Sequence, residues 1–131
     1  MHGISHVTFL VADVERTARL LCAGLGAREV HDGTGPNAPH AREKFFLLGP
    51  AWIAVIEGVP PERRSYAHVA FSVAENDLPR FERRLATLGV EITEGRARGA
   101  GEGRALYFHD FDNHLFELHA GSLEARLAGC D

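Results

Sequence analysis

Two stretches of the chain alternate apolar and polar residues in the manner of β-strands, and they resemble each other. Ser5–Asp13 and Ala67–Glu75 share five identical residues in nine positions (His, Val, Phe, Val and Ala), and they lie 62 residues apart. Recurrence of a segment at a fixed offset is typical of a duplicated supersecondary unit. The alternation and the recurrence together predict two equivalent strands, each opening one half of the chain.

A helical pattern follows each of these strands, with apolar residues recurring every three or four positions. In the first half Asp13 is in position to cap the helix and Gly26 to end it. In the second half Asn76 can cap, Pro79 lies in the tolerated first turn, and Gly89 ends the helix. The apolar faces consist of Val14, Ala18, Leu21 and Leu25 in the first helix and of Leu78, Phe81, Leu85 and Leu88 in the second.

Each helix is followed by a short strand and then by a hairpin pattern. The predicted short strands are Ala27–His31 and Val90–Thr93. The predicted hairpins pair Lys44–Leu48 with Trp52–Glu57, and Ala105–His109 with His114–His119. A short final helix is expected in residues 122–128, where Ser122 can cap Leu123–Leu127.

These elements predict an α+β fold built from paired βαβββ modules. We expect a single domain, residues 1–131, with module one at about 4–60 and module two at about 64–121. A module of about 60 residues buries too little surface to be stable alone, so its sheet should pair with another and form a partly closed barrel around a cleft. The alternative is an ordinary α+β sandwich in which the repeat is a coincidence.

Composition and charge narrow the function. The formal net charge is −4 and the basic residues are spread along the chain, which argues against a nucleic-acid partner. No apolar run approaches the roughly 20 residues that cross a bilayer, and the N-terminus lacks a secretory pattern. Cys22 and Cys130 are the only cysteines. We therefore expect a cytoplasmic protein without disulfides and without a membrane partner.

Two histidines and one glutamate form a candidate metal site. His6 and His68 occupy equivalent positions of the repeat, although a single histidine on an apolar strand is usually a hydrogen-bonded core residue. Glu117 shares a strand face with Leu115 and His119, and a carboxylate there is costly to bury unless it is paired or bound to a metal. The alternative for Glu117 is a salt bridge on an edge strand.

The repeat also limits the number of ligands. The helix ends Leu25-Gly26 and Leu88-Gly89 set an offset of 63 residues, which places Ala54 at the position equivalent to Glu117. The first half thus offers no carboxylate, and two histidines with one carboxylate leave coordination positions open for water and substrate. Such mixed nitrogen and oxygen ligands suit Mn(II), Fe(II), Co(II), Ni(II) or Zn(II).

At these residues the sequence resembles the vicinal-oxygen-chelate enzymes, and more narrowly the FosX-type fosfomycin resistance proteins. The similarity extends from about Ile4 to Leu127, and its most specific stretches are Arg42–Leu47, Glu102–Arg104 and Tyr107–His119. Glu62-Arg63 and Ser65–His68 resemble the segment that carries the middle histidine of that family. The resemblance implies one Mn(II) per site, a phosphonate epoxide as substrate and a homodimer with exchanged modules, in which His6 of one chain completes a site with His68 and Glu117 of the other.

The resemblance also implies a hydrolase. In this family a carboxylate activates water for attack on the epoxide of fosfomycin, giving a vicinal diol, and Glu43 matches that position. A general base within hydrogen-bond reach of the water is what the reaction requires. Because Arg42 and Lys44 flank Glu43, the alternative is a charge on a solvated strand.

By the same resemblance, hydroxyl and cationic donors hold the phosphonate. Thr8, Tyr107 and Arg126 match best, and either Arg96 or Arg98 occupies the region of a basic phosphonate ligand. Two features depart from the family. Ala105 replaces a serine that often follows Glu-Gly-Arg, and the loop from His31 to Ala41 lacks the usual polar and aromatic residues. Affinity for the phosphonate and substrate selectivity are therefore open.

The other histidines have lesser expected roles. His119 is the candidate to orient Glu117 from outside the ligand set. His31 follows a predicted strand and is expected to be solvated, and turn or surface positions are expected for His109 and His114.

Other functions remain open at this point. They are a thiol transferase of the same fold that opens fosfomycin with a thiol, another metal-dependent lyase, epimerase or dioxygenase, and a non-catalytic antibiotic-binding protein.

Overall fold

The computed structural model of the chain describes residues 1–35, 41–94 and 103–129. The chain divides into two compact units. The first contains Met1–Arg63 and Phe111–Asn113, and the second contains Arg64–Asp110 and His114–Asp131. Within the described residues, no helix is both long and apolar enough to cross a membrane.

The first unit contains a four-stranded mixed sheet and one helix. Its elements are β1 (His6–Val11), α1 (Val14–Arg19), β2 (Arg28–Thr34), β3 (Arg42–Leu48) and β4 (Ala51–Glu57). The strand order is β1-β4-β3-β2. β1 runs parallel to β4, and the other neighbouring pairs are antiparallel. β2 extends three residues beyond the predicted strand, which ended at His31.

One face of this sheet forms the core of the first unit. Alternating residues Phe9, Val11, Phe46, Ile53 and Val55 are buried, as the strand periodicity predicts. Helix α1 packs against β3 and β4 and buries Val14 and Ala18. The opposite face of the sheet carries polar side chains together with apolar ones, among them the buried Ala54 and Ile56.

The ends of the first helix are as predicted, but its last turn is not. The Asp13 carboxylate accepts a hydrogen bond from the backbone N–H of Arg16, and Gly26 adopts the left-handed conformation with φ of 77°. Between them, Leu20–Gly24 form a π-helical turn that buries Leu20 and Leu21. A π-turn has no recognised sequence signal and is set by local packing.

The second unit repeats this arrangement. Its elements are β5 (His68–Ser72), α2 (Leu78–Thr87), β6 (Ile92–Glu94), β7 (Arg104–His109), β8 (Leu115–Ala120) and α3 (Leu123–Ala128). The strand order is β5-β8-β7-β6, with β5 parallel to β8. Helix α2 packs against β6 and β7, and Leu78, Leu85, Leu106, Phe108, Phe116 and Leu118 are buried.

The caps of the second unit are partly as predicted. Ser122 accepts a hydrogen bond from the backbone N–H of Ala125 and so caps α3. The prediction that Asn76 caps α2 is wrong, because Asn76 lies inside a 3₁₀ turn, Glu75–Asp77, that leads into the helix. The residue before α2 is Asp77, whose backbone is already helical. Gly89 ends the helix with φ of 77°, as expected.

Strand register supports the internal repeat. Within the first sheet His6 lies opposite Trp52 and Thr8 opposite Ala54, whereas within the second His68 lies opposite Leu115 and Ala70 opposite Glu117. The α+β class and the two βαβββ modules are therefore confirmed, and the alternative of a coincidental repeat is excluded. Single-domain organisation, barrel closure and exchange between subunits stay predictions.

Candidate active site

The second sheet has a polar face centred on Glu117. Glu117 lies in the middle of β8, opposite Ala70 of β5 and Tyr107 of β7. Because side chains alternate along a strand, His68 and His119 share this face. The expectation that Glu117 and His119 lie on one face is confirmed. Register places Ala105 there as well, opposite His119.

Glu117 is buried and held by three polar side chains. Glu117 is only 5% exposed. The Nε2 of His68 lies 3.0 Å from its Oε1, and the Nδ1 of His119 donates a hydrogen bond to its Oε2 at 2.9 Å. Burial by itself raises the pKa of Glu117, but hydrogen bonds from Tyr107 and His119, with the charges of His119 and His68, hold the pKa below its usual value. Glu117 is therefore a carboxylate at neutral pH.

The imidazole of His68 is fixed in one tautomer. Its Nδ1 lies 2.7 Å from the backbone carbonyl oxygen of Tyr66, and because a carbonyl can only accept, Nδ1 must carry a proton. The rings of Tyr66 and Tyr107 pack edge-on against it, with centroids at 4.9 and 5.6 Å. The Nε2 atom is thus directed at Glu117, in the arrangement typical of metal-bound histidines.

The His68 and Glu117 pair suits a divalent cation. Two ligand atoms at about 2.1 Å from a cation and at right angles to each other are about 3.0 Å apart. Nε2 of His68 and Oε1 of Glu117 have that separation, 3.0 Å. Within residues 1–35, 41–94 and 103–129, no group of three or more His, Cys, Asp or Glu side chains is arranged to hold a metal ion. His6 belongs to the first unit, and His68 and Glu117 belong to the second.

The face of the first sheet opposite its core carries three of the predicted site residues. His6 and Thr8 alternate along β1, and register through β4 places Glu43 of β3 on the same side. Both His6 and Thr8 are exposed. The ring of His6 lies 4.2 Å from that of Trp52, and its Nδ1 is 3.0 Å from the hydroxyl oxygen of Ser5.

Glu43 is not a solvated charge, which was the alternative suggested by the flanking residues Arg42 and Lys44. Its side chain is 12% exposed, and Oε2 lies 3.4 Å from Nε2 of His31. Lys44 points to the opposite side of the sheet, where its ammonium donates to Glu29 at 2.6 Å and to Asp32 at 3.4 Å. Glu43 is therefore a largely buried carboxylate that contacts an imidazole.

A family model shows where the chain belongs. The model of the Glyoxalase/Bleomycin resistance protein/Dioxygenase superfamily matches residues 3–118. The chain belongs to this superfamily. The two βαβββ modules described above are consistent with that membership.

Within this superfamily the chain is similar to fosfomycin resistance proteins. The FosX of Mesorhizobium japonicum is 44% identical over 128 residues, covering 98% of this chain and 92% of that protein. A crystal structure of mutant FosX from Listeria monocytogenes, complexed with Mn(II) and 1S,2S-dihydroxypropylphosphonic acid, matches with a TM-score of 0.87 and 42% identity, covering 97% of this chain and 96% of that one. The metallothiol transferase FosB of Shouchella clausii is 33% identical, over 98% of this chain and 86% of that protein.

Of the residues predicted to bind the phosphonate on the second half of the chain, only Tyr107 and Arg126 lie within the described residues. Tyr107 lies beside Glu117 and donates its hydroxyl to it. Arg126 lies in α3 and is exposed. Arg96 and Arg98 lie outside the described residues.

Sequence reasoning missed one neighbour of the site. His31 is exposed, as expected, but it lies within β2 and not after a strand, and its Nε2 is 3.4 Å from Oε2 of Glu43. The sequence pattern of β2 does not predict that His31 lies beside Glu43, because the register shifts between Glu29 and His31. His114, by contrast, has the expected turn role, since its Nδ1 donates to Asp110 at 2.7 Å.

Proposed function

We propose that this protein of the glyoxalase superfamily is a Mn(II)-dependent epoxide hydrolase that inactivates fosfomycin by adding water to give a vicinal diol. The observation that carries the proposal is the pair formed by His68 and Glu117, 3.0 Å apart and oriented by Tyr66 and His119. Similarity to FosX over nearly the whole chain supports the substrate, and the Mn(II) in the FosX structure supports the metal.

The metal ligands in this proposal are His6, His68 and Glu117. In a homodimer with exchanged modules, His6 of the partner subunit completes the site formed by His68 and Glu117. Mn(II) held by these residues would act as a Lewis acid that stabilises negative charge on the epoxide oxygen. His119 keeps the Glu117 carboxylate in one orientation, and the carbonyl of Tyr66 accepts the Nδ1–H of His68, which directs Nε2 at the site.

Glu43 is the proposed general base. A water molecule attacks the ring carbon beside phosphorus, and the Glu43 carboxylate removes a proton from that water. The limited exposure of Glu43 supports this role, because a carboxylate with little competing solvent stays available as an acceptor.

Thr8, Arg126 and either Arg96 or Arg98 are the proposed donors to the phosphonate. Tyr107 was predicted for the same task, but its hydroxyl proton is directed at Glu117. A contact between Tyr107 and the phosphonate would therefore require the hydroxyl to rotate. The small side chain of Ala105, on the same strand face, leaves one donor fewer than a serine would provide. We place the protein in the cytoplasm, with a small phosphonate epoxide as its partner.

The test is a hydration assay without thiol. Protein loaded with Mn(II) is incubated with fosfomycin, and the phosphonate diol is followed by phosphorus NMR. Glu43→Gln should retain Mn(II) and lose activity by about 100-fold or more. Glu57→Gln, which changes an exposed glutamate of the same sheet, is the matched control and should retain activity.

Three outcomes would contradict the proposal. Turnover that starts only after a thiol is added would make the protein a thiol transferase. Equal activity in Glu43→Gln and wild type would remove Glu43 from the mechanism. Absence of any reaction, with drug bound unchanged, would favour a binding protein.

A further inference from the structure

A β-bulge in β2 determines which side of the sheet His31 occupies. Glu29 lies opposite Phe46, and the next paired residue, His31, lies opposite Phe45, so Val30 is the extra residue. In a regular ladder Val30 would face Phe45, and His31 would point to the other side of the sheet. The bulge therefore brings His31 to the face that carries Glu43.

The same bulge places the two carboxylates of β2 on the opposite side of the sheet from His31. After it, Asp32 lies opposite Lys44, and Glu29 is also within hydrogen-bond reach of the Lys44 ammonium. Residues three apart would lie on opposite faces of a regular strand. Both carboxylates are thus on the side of Lys44, and His31 is the ionisable side chain of β2 beside Glu43.

The imidazole of His31 is held against the carboxylate of Glu43. Its ring centroid lies 4.6 Å from that of Phe45, and its Nε2 lies 3.4 Å from Oε2 of Glu43. Gly33 lies directly opposite Glu43, and a Cβ at Gly33 would be 3.1 Å from both Cε1 and Nε2 of His31. Glycine at this position leaves the space that the imidazole occupies.

Exposure increases from the carboxylate to the imidazole. The side chain of Glu43 is 12% exposed and that of His31 is 42% exposed. A base that is nearly closed off from water must lose the proton it has gained before it can act again. An imidazole that contacts the base on one side and solvent on the other can carry that proton, because it can accept at one nitrogen and release from the other.

We propose that His31 is a proton-relay residue that acts through Glu43. The inference rests on the proposed epoxide hydration. As the new C–O bond forms and the epoxide C–O bond breaks, Glu43 takes one proton from the attacking water and passes it to Nε2 of His31, which releases one from Nδ1 to solvent. The former ring oxygen takes up one proton from solvent, so the sum is addition of one water. The 3.4 Å separation is long for a hydrogen bond, and such contacts commonly shorten when substrate binds.

The experiment measures kcat and KM for diol formation in the Mn(II)-loaded protein. His31→Ala should lower kcat about tenfold with little change in KM. His31→Gln should be equally slow, since an amide can donate a hydrogen bond but cannot relay a proton. Added imidazole should restore His31→Ala and leave Glu43→Gln inactive. His2→Ala, which removes an exposed histidine near the N-terminus, is the control and should match wild type.

A second variant tests the geometry with His31 still in place. Gly33→Ala should push the imidazole away by a few tenths of an ångström, and so lower kcat by less than His31→Ala does. When Gly33→Ala is combined with His31→Ala, kcat should fall no further than in His31→Ala alone, because both changes act on the same contact.

Four results would overturn the relay. They are a wild-type kcat in His31→Ala, a wild-type kcat in His31→Gln, no rescue of His31→Ala by imidazole, and additive losses of kcat when Gly33→Ala is combined with His31→Ala. Wild-type protein that forms no diol would instead refute the proposed hydration itself.

Discussion

Gly103, which immediately precedes β7, provides a sharp test of how the hairpin carrying Glu117 is held. Its backbone is left-handed with φ of 75°, and a Cβ added there would overlap the carbonyl oxygen of Ala120 and lie 3.0 Å from its carbonyl carbon. Gly89 has nearly the same φ of 77°, but a Cβ there would meet nothing within 4 Å. Gly103→Ala and Gly89→Ala therefore differ in one respect, the overlap with the opposite strand.

The two variants should differ in stability by about 2 kcal/mol. Both should lose about 1 kcal/mol because alanine disfavours the left-handed conformation. Only Gly103→Ala must also move backbone, since β8 is in register with β7 from Ala120 opposite Arg104 onwards. Displacing that end of the hairpin costs about two hydrogen bonds at about 1 kcal/mol each, so the total loss is about 3 kcal/mol.

Urea denaturation of wild type and both variants gives the free energies of unfolding. Thermal unfolding should follow, at about 4 °C per kcal/mol for a chain of this size. Because β7 and β8 also carry Tyr107 and Glu117, Gly103→Ala should bind Mn(II) more weakly, whereas Gly89→Ala should bind it as wild type does. Equal losses of stability in the two variants would refute the reasoning, since the overlap would then have no energetic consequence.

Three further predictions concern single contacts. His119→Ala should weaken Mn(II) binding about 10- to 100-fold in calorimetry, because only the orientation of Glu117 is lost; unchanged affinity would contradict this role. The hydrogen bond to Glu29 raises the pKa of Lys44, so its stabilisation is complete below the ordinary value of 10.5 and is lost as pH rises through the folded-state pKa. Above pH 10.5 the urea midpoint of Lys44→Met should therefore decline less steeply with pH than that of wild type. An identical decline in the two proteins would argue against the contact. Asp13→Ala should cost about 1 kcal/mol in urea denaturation through loss of the helix cap, and no loss would show that the cap is dispensable.

Much of the candidate site follows from residue patterns. Alternation along the last strand places Glu117 and His119 on one face, and the structure shows both on it with a hydrogen bond between them. The offset of 63 residues between helix ends agrees with the observed pairing of Thr8 with Ala54 and of Ala70 with Glu117. These features were predictable because strand periodicity is strictly two, so sequence spacing fixes the face of a side chain wherever the ladder is regular.

Where the ladder is irregular, spacing gives the wrong face. One extra residue at Val30 reverses the side of His31 and brings Glu29 and Asp32 together on the side of Lys44. The π-helical turn Leu20–Gly24 is a similar irregularity in the first helix. Neither has a compositional signal, because each is selected by how well the neighbouring side chains pack and pair once the sheet and helix are in contact.

The amino-acid sequence by itself determined the duplicated modules, the residue types of the candidate metal site and the faces of regular strands. Tertiary structure alone decided which polar groups meet: the tautomer of His68 set by the carbonyl of Tyr66, the Tyr107 hydroxyl donated to Glu117, and the imidazole of His31 beside Glu43. The physical reason is that periodicity is a local property of the chain. Hydrogen bonding and burial depend on groups that are distant in sequence and come together only in the folded protein.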